Sequence, residues 1–118
     1  KFKPHKKTCG SGFGYIVISQ NGNISSCQMM QTKPLGTIKD NNLIQVIREK
    51  NSIPEINMDA KEGCSACKWR YICTGGCPYV TQKAYSKFDV PSPYCKTYKA
   101  LIPEVLKLEA LRIIKHGN

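Results

Sequence analysis

The stretch GCSACKWRYICTGGCPYV, residues 63–80, holds four of the seven cysteines in this chain of 118 residues. They follow the spacing Cys-x2-Cys-x5-Cys-x3-Cys and are Cys64, Cys67, Cys73 and Cys77. A two-residue gap lets two thiolates point at one metal centre, and the longer gaps return the chain to that centre or to a second one. Because core packing does not explain such a density of thiols, the stretch predicts a fold organised around metal.

The other three cysteines are Cys9, Cys27 and Cys95. Seven ligands are three more than one four-cysteine site needs, which predicts two centres, one of them short of a protein ligand. An odd number also leaves at least one thiol unpaired in any set of intrachain disulfides, which argues against a secreted disulfide scaffold. We therefore expect a cytoplasmic protein in which all seven cysteines ligate metal.

Two glycines, Gly75 and Gly76, stand between Cys73 and Cys77. Without side chains they would let the backbone pass close to a bulky cluster and direct N–H groups at its sulfurs. An ordinary glycine turn is the other interpretation.

The remaining sequence predicts a small α+β domain spanning residues 1–118, with an N-terminal β-hairpin, short helices around the metal clusters and a C-terminal helix. The hairpin is predicted over 14–28, with its turn at Asn21-Gly22-Asn23, and a loop follows to residue 42. Helices are predicted over 43–50, from Pro78 to before Pro91, and over 97–116. The last is apolar over most of its girth, which predicts either a central core helix or a contact with another part of the protein.

The formal net charge of +10 comes from lysines and arginines spread along the chain. Their one cluster is Lys1, Lys3, Lys6 and Lys7. Scattered charges predict a solvated surface rather than a nucleic-acid interface. The longest apolar run has four residues, Tyr15 to Ile18, so no membrane span is predicted, and the basic N-terminus does not resemble a signal peptide.

The whole pattern resembles the SPASM domain, the C-terminal auxiliary-cluster extension of radical S-adenosylmethionine (radical SAM) enzymes that modify peptides and proteins. It consists of Cys9-x12-Gly22-x4-Cys27, then the four central cysteines, then Cys95, and its most recognisable part is CKWRYICTGGCP. The resemblance implies two [4Fe–4S] clusters. The first would be held by Cys9, Cys27 and Cys77, and the second by Cys64, Cys67, Cys73 and Cys95. The fourth position of the first cluster stays open to His5, a carboxylate, water or a substrate thiolate.

The family's catalytic cluster uses a Cys-x3-Cys-x2-Cys motif in a barrel, and here Val80 stands where the third cysteine would follow Cys73 and Cys77. We therefore expect this segment not to cleave S-adenosylmethionine, which together with a third cluster would belong to a radical SAM barrel of the parent chain. The resemblance implies an oxidoreductase or maturase in which this domain completes the active site and carries electrons. Its partners would be a peptide or protein substrate and a reductant such as a flavodoxin or ferredoxin.

Two alternatives remain at this stage. A zinc-ribbon-like structural or nucleic-acid-binding module would use Cys64, Cys67, Cys73 and Cys77 as one zinc site. It leaves three cysteines unexplained, and the gap between its halves is shorter than the usual loop of about 15–20 residues. In the other alternative the clusters only staple a small core and take no part in electron flow.

Overall fold

The computed structural model describes residues 8–51 and 53–117, so His5 and the N-terminal lysine cluster lie outside the described residues. The strands are β1 Val17–Ile18, β2 Asn23–Ser25 and β3 Gly36–Thr37, with a 3-10 turn over Gln28–Met30 between β2 and β3. The helices follow in the order α1 Leu43–Lys50, α2 Arg70–Cys73, α3 Pro78–Tyr85 and α4 Cys95–His116. The chain is an α+β domain rich in cysteine with a three-stranded antiparallel sheet and a C-terminal helix, as the sequence predicts.

The predicted hairpin is present but shorter than expected. Strands β1 and β2 pair antiparallel, with Ile18 opposite Ile24. The Gly22 N–H closes the turn on the Ser19 carbonyl at 2.9 Å. Ile24 is completely buried, whereas its partner Ile18 on the neighbouring strand is exposed. Because β2 ends at Ser25, the hairpin delivers Cys27 just beyond the sheet.

Strand β3 was missed by the sequence analysis, which predicted a loop there. Gly36 pairs with Ile24, and the Thr37 N–H donates to Oδ2 of Asp40 at 2.8 Å, which turns the chain towards α1. Pro34 and Gly36 are typical loop residues, so a two-residue strand that begins at Gly36 has no sequence pattern of its own. Pairing with β2, a tertiary effect, makes it a strand.

Helix α1 has the predicted bounds, and Asn42 occupies its N-cap position. The Asn42 side chain does not cap the backbone; its amide donates to Oε1 of Gln45 at 2.6 Å. Leu43, Val46 and Ile47 are half-buried, but Ile44 is 65% exposed, so its predicted place on the buried face was wrong.

Two further helices surround the central cysteines. The short helix α2 was not predicted and ends at Cys73. Helix α3 starts at Pro78 as predicted, where a missing N–H costs nothing, and the buried Thr81 hydroxyl donates to the Cys77 carbonyl at 3.1 Å. Both helices therefore hold a cysteine at one end.

Helix α4 begins at Cys95, two residues before the predicted start, and Pro103 lies inside it rather than in its first turn. None of its residues is buried, so the prediction of a central core helix was wrong. At about 33 Å the helix is long for a domain of this size, and the radius of gyration is 16.9 Å, where about 13–14 Å is usual. None of the helices among the described residues is long and apolar enough to cross a membrane.

The core of the described chain is small and unusually polar. Its buried apolar side chains are Ile24, Leu35, Ile53 and Met58, together with Cys27 and Cys64. Buried polar side chains are equally numerous: Ser11, Ser25, Ser26, Lys61, Thr81 and Ser92. A chain with so little buried apolar area usually needs disulfides or metal to be stable.

Replacing Ile24 with Ala should lower the free energy of unfolding by about 3 kcal/mol, because the substitution leaves a cavity at a fully buried position. The matched control is Ile44→Ala in α1, where the side chain is exposed and the change should stay within about 0.5 kcal/mol. Denaturant unfolding followed by circular dichroism measures both, and equal effects would contradict this description of the core.

A polar contact ties the segment before the central cysteines to α2. Oδ1 of Asp59 accepts hydrogen bonds from the Tyr71 hydroxyl at 2.5 Å and from Nε of Arg70 at 2.9 Å. These two donors, Tyr71 first and then Arg70, hold the pKa of the Asp59 carboxyl below its ordinary value. The contact stabilises the ionised carboxylate and is lost when the pH falls through this lowered pKa.

Tyr71→Phe removes the larger of these two causes, so the pKa of Asp59 should rise towards the ordinary value for aspartate. Carbon-detected NMR titration of the Asp59 carboxyl measures the change. Tyr85→Phe, at another exposed tyrosine, should leave that pKa where it is. An unchanged pKa in Tyr71→Phe would show that the hydroxyl contact is not formed in solution.

Candidate metal centres

The seven cysteines surround two neighbouring cavities. The first, which we call the four-cysteine cavity, is lined by Cys64, Cys67, Cys73 and Cys95. The second lies beside the β1–β2 hairpin, and we call it the hairpin cavity; its cysteines are Cys9, Cys27, Cys77 and, again, Cys73. Cys73 therefore lies in the wall between the two cavities.

Successive turns place the thiols of the four-cysteine cavity. The Cys64 N–H donates to the Lys61 carbonyl at 3.1 Å, and the Cys67 N–H donates to the Cys64 carbonyl at 2.9 Å. Cys73 closes α2, and Cys95 opens α4. The cavity thus brings the end of one helix and the start of another to the same loop.

The rest of this cavity's wall contains the half-buried apolar side chains Trp69, Tyr98 and Ile102. It also contains Ser92 and two cationic residues, Arg70 and Lys99. Water-sized molecules can occupy about 20 Å³ of this cavity. A metal cluster bonds to its thiolates and so approaches them more closely than water can.

The pKa of the Cys64 thiol is shifted by burial and by the charged groups near it. Burial raises the pKa of Cys64, the nearby Lys61 lowers it, and the other three thiols of the cavity, Cys95, Cys73 and Cys67, raise it further. Repulsion of this kind means that the other three thiols are each within electrostatic reach of Cys64. Ionising all of them together requires a cationic centre between them.

The hairpin cavity is larger and more open, with about 330 Å³ available to water-sized molecules. Cys9 follows Thr8, whose carbonyl accepts a hydrogen bond from Oγ1 of Thr74 at 2.9 Å. Cys27 is buried beyond β2, and Cys77 is exposed in front of α3. The hairpin, the segment before it and the start of α3 therefore meet here.

Tyr15 faces the same three thiols and was not singled out by the sequence analysis. Its pKa is raised by burial first and then by Cys9, Cys27 and Cys77, while a hydrogen bond with Ser11 lowers it. Cys73 is not among these neighbours, although it lines the cavity. Electrostatically, Cys73 belongs with Cys64. An exposed tyrosine in a predicted strand gives no signal in the sequence that could have revealed this.

The open ligand position predicted for the first centre has few candidates in the described part of the chain. No aspartate, glutamate or histidine of residues 8–51 and 53–117 lines the hairpin cavity. Its polar side chains besides cysteine are Thr8, Ser11, Tyr15, Gln28, Thr74 and Tyr79. The predicted carboxylate therefore finds no support, and His5 lies outside the described residues.

The two central glycines are needed for their backbone conformation. Gly75 and Gly76 have φ of +76° and +75°, a region that side chains disfavour. A Cβ on Gly76 would lie 2.8 Å from Cβ of Ser92, so the turn also packs too closely for alanine. The Gly76 N–H donates to the Cys73 carbonyl at 3.0 Å and so closes the turn after α2.

A single-ion site does not fit this arrangement. A zinc-ribbon site would need Cys64, Cys67, Cys73 and Cys77 at about 2.3 Å from one ion, but Cys77 lines the hairpin cavity and the other three line the four-cysteine cavity. Among the described residues no three cysteine, histidine, aspartate or glutamate side chains are grouped closely enough to hold one metal ion. Thiols spread around a cavity, next to a turn that excludes side chains, fit a multi-atom iron–sulfur cluster.

Comparison with protein families gives one match. The family model of the SPASM domain, described as an iron–sulfur cluster-binding domain, matches residues 9–68. The match includes Cys9, Cys27, Cys64 and Cys67, whereas Cys73, Cys77 and Cys95 follow it. Searches of the curated proteins and of the solved structures gave no significant match. Since the matched residues make up half of the chain, and the cysteines within and beyond them surround two cavities, the chain belongs to the SPASM family of iron–sulfur cluster-binding domains.

Proposed function

We propose that this chain is an auxiliary domain that holds two [4Fe–4S] clusters and works with a radical SAM barrel in the modification of a peptide or protein. One observation carries the proposal: apart from Cys73, which lines both cavities, the cysteines divide between the two cavities in the sets that the SPASM resemblance assigns to two clusters. Only Cys73 touches both cavities, and its electrostatic neighbour Cys64 supports its place in the second set.

In this proposal Cys64, Cys67, Cys73 and Cys95 hold the second cluster and complete its ligand set. The apolar side chains in the wall of the four-cysteine cavity exclude water from it, which favours a stable, fully ligated centre. When bound, [4Fe–4S] clusters supply one-electron transfer. The chain's part is to supply the thiolates, keep water out and compensate their negative charge.

Cys9, Cys27 and Cys77 would hold the first cluster in the hairpin cavity. Cys77 is exposed and the cavity is open to solvent, so a substrate or an added ligand has access to this side. We propose that this open side faces the active site and that the domain completes it there. The Tyr15 hydroxyl is the described phenol electrostatically coupled to the three thiols at this position.

The partners proposed are the radical SAM barrel, the peptide or protein substrate and a protein reductant. Helix α4 supports the first, because it exposes apolar side chains that are costly to leave in water: Leu101, Val105, Leu106, Leu108, Leu111, Ile113 and Ile114. The net charge of +10 suits an acidic reductant of the flavodoxin or ferredoxin kind. Cleavage of S-adenosylmethionine would take place on the barrel, whose cysteine motif this sequence lacks.

After anaerobic reconstitution the chain should contain about eight irons and eight acid-labile sulfides, because two four-iron clusters require them. Cys95→Ser and Cys77→Ser should each reduce the iron content by about four, since each removes a ligand from a different cavity. Ser65→Ala, at an exposed position next to Cys64, is the matched control and should retain all the iron. Iron, sulfide and zinc analysis measures this, and a folded, colourless protein containing only zinc would refute the proposal.

Electron transfer and structural stapling predict different behaviour of Cys95→Ser in the complete enzyme with its barrel. If the second cluster carries electrons, turnover should fall by about 100-fold while the circular dichroism spectrum keeps its native shape. If the cluster is only a staple, the variant should lose turnover and native structure together. The two measurements on one preparation separate these cases.

A further inference from the structure

Lys61 is the largest fully buried side chain in the described part of the molecule, with 1% of its surface exposed. Its Nζ atom is buried and has no hydrogen-bond partner there. A buried ammonium group without a partner is strongly unfavourable, since it loses its hydration and gains nothing in return. The described residues give this amine no hydrogen-bond acceptor, so its position suits a negatively charged or hydrogen-bond-accepting group that is not one of them.

The surroundings of Nζ indicate where that neighbour belongs. A Cβ on Gly75 would lie 2.5 Å from Nζ, so the amine rests directly against this glycine, which lines the four-cysteine cavity. Lys61 is also held at the Cys64 turn, because its carbonyl accepts the N–H groups of Cys64 at 3.1 Å and Ser65 at 3.0 Å. The amine and the thiols are thus fixed to the same loop.

Burial lowers the pKa of the Lys61 amine, and the anionic groups Cys64, Cys73 and Asp89 oppose this by raising it. Asp89 makes no ion pair with the amine, and two of the three groups are thiols of the four-cysteine cavity. A stem packed only for its apolar surface would place the charged end in solvent, as buried lysines usually do. Here the charged end is the buried part, behind the glycine turn.

We propose that Lys61 supplies the positive charge that compensates the second cluster and raises its reduction potential. The inference rests on the proposed function, in which Cys64, Cys67, Cys73 and Cys95 hold that cluster. Reduction adds one electron, and hence one negative charge, to a site that thiolates already make negative. A fixed ammonium nearby favours the more negative, reduced state, and burial of the amine limits the screening of its charge by solvent.

The test is a dithionite titration of the cluster-loaded chain, followed by low-temperature EPR. Lys61→Met keeps the length of the side chain and removes its charge; it should weaken reduction of the second cluster about tenfold, a shift of about 59 mV to more negative potential for a one-electron couple. The signals of that cluster are those lost in Cys95→Ser. Lys68→Met removes the same charge from an exposed site between Cys67 and Trp69 and should change the reduction equilibrium less than about threefold. Lys61→Arg, which keeps the charge, should resemble the wild type.

Equal potentials in Lys61→Met and Lys68→Met would overturn the inference while leaving cluster binding intact. Failure of the wild-type chain to take up iron would instead refute the proposed function and this inference with it. If Lys61→Met does not retain the cluster, the iron contents of Lys61→Arg, Lys61→Gln and Lys61→Met are compared instead. Retention of the cluster by Lys61→Arg alone supports a need for positive charge at this position. Loss of iron in all three variants contradicts it.

Discussion

Seven thiols from distant parts of the chain have to meet at two adjacent cavities, and most of the fold is arranged to meet that constraint. β2 ends just before Cys27, α2 ends at Cys73, α3 begins after Cys77 and α4 begins at Cys95. Three of the four α-helices therefore start or stop at or next to a cysteine. The apolar core is too small to account for this arrangement, because few side chains are fully buried and half of those are polar. Metal ligation supplies the cross-links that hydrophobic packing does not.

Charge is the second constraint on the arrangement. Thiolates gathered around a cavity repel one another, as the raised pKa of Cys64 shows, and they need cations close by. Most of the chain's excess of lysine and arginine is solvated and serves this purpose poorly, since surface charge is screened. Lys61 differs from these residues because it is buried behind Gly75 and has no partner of its own.

The two sides of the molecule also differ in what they expose. Aromatic and aliphatic side chains line part of the four-cysteine cavity. The hairpin cavity is more open, and the exposed Cys77 lies in its lining. Helix α4 extends from the four-cysteine cavity, and apolar side chains are exposed to solvent over most of its length. Such a surface is expected where a second protein surface covers the helix.

Local sequence determined the ligand inventory, the bounds of α1 and the start of α3 at Pro78, because metal-ligand spacing and helix-start chemistry are properties of neighbouring residues. It also predicted the β1–β2 hairpin, which the structure contains. Tertiary structure alone decided that β3 is a strand, that Ile44 and α4 are exposed, and that Cys73 stands in the wall between the cavities. It alone showed Tyr15 beside three thiols and Lys61 buried without a partner. Strand pairing, burial and electrostatic reach depend on residues far apart in the chain, and no local pattern records them.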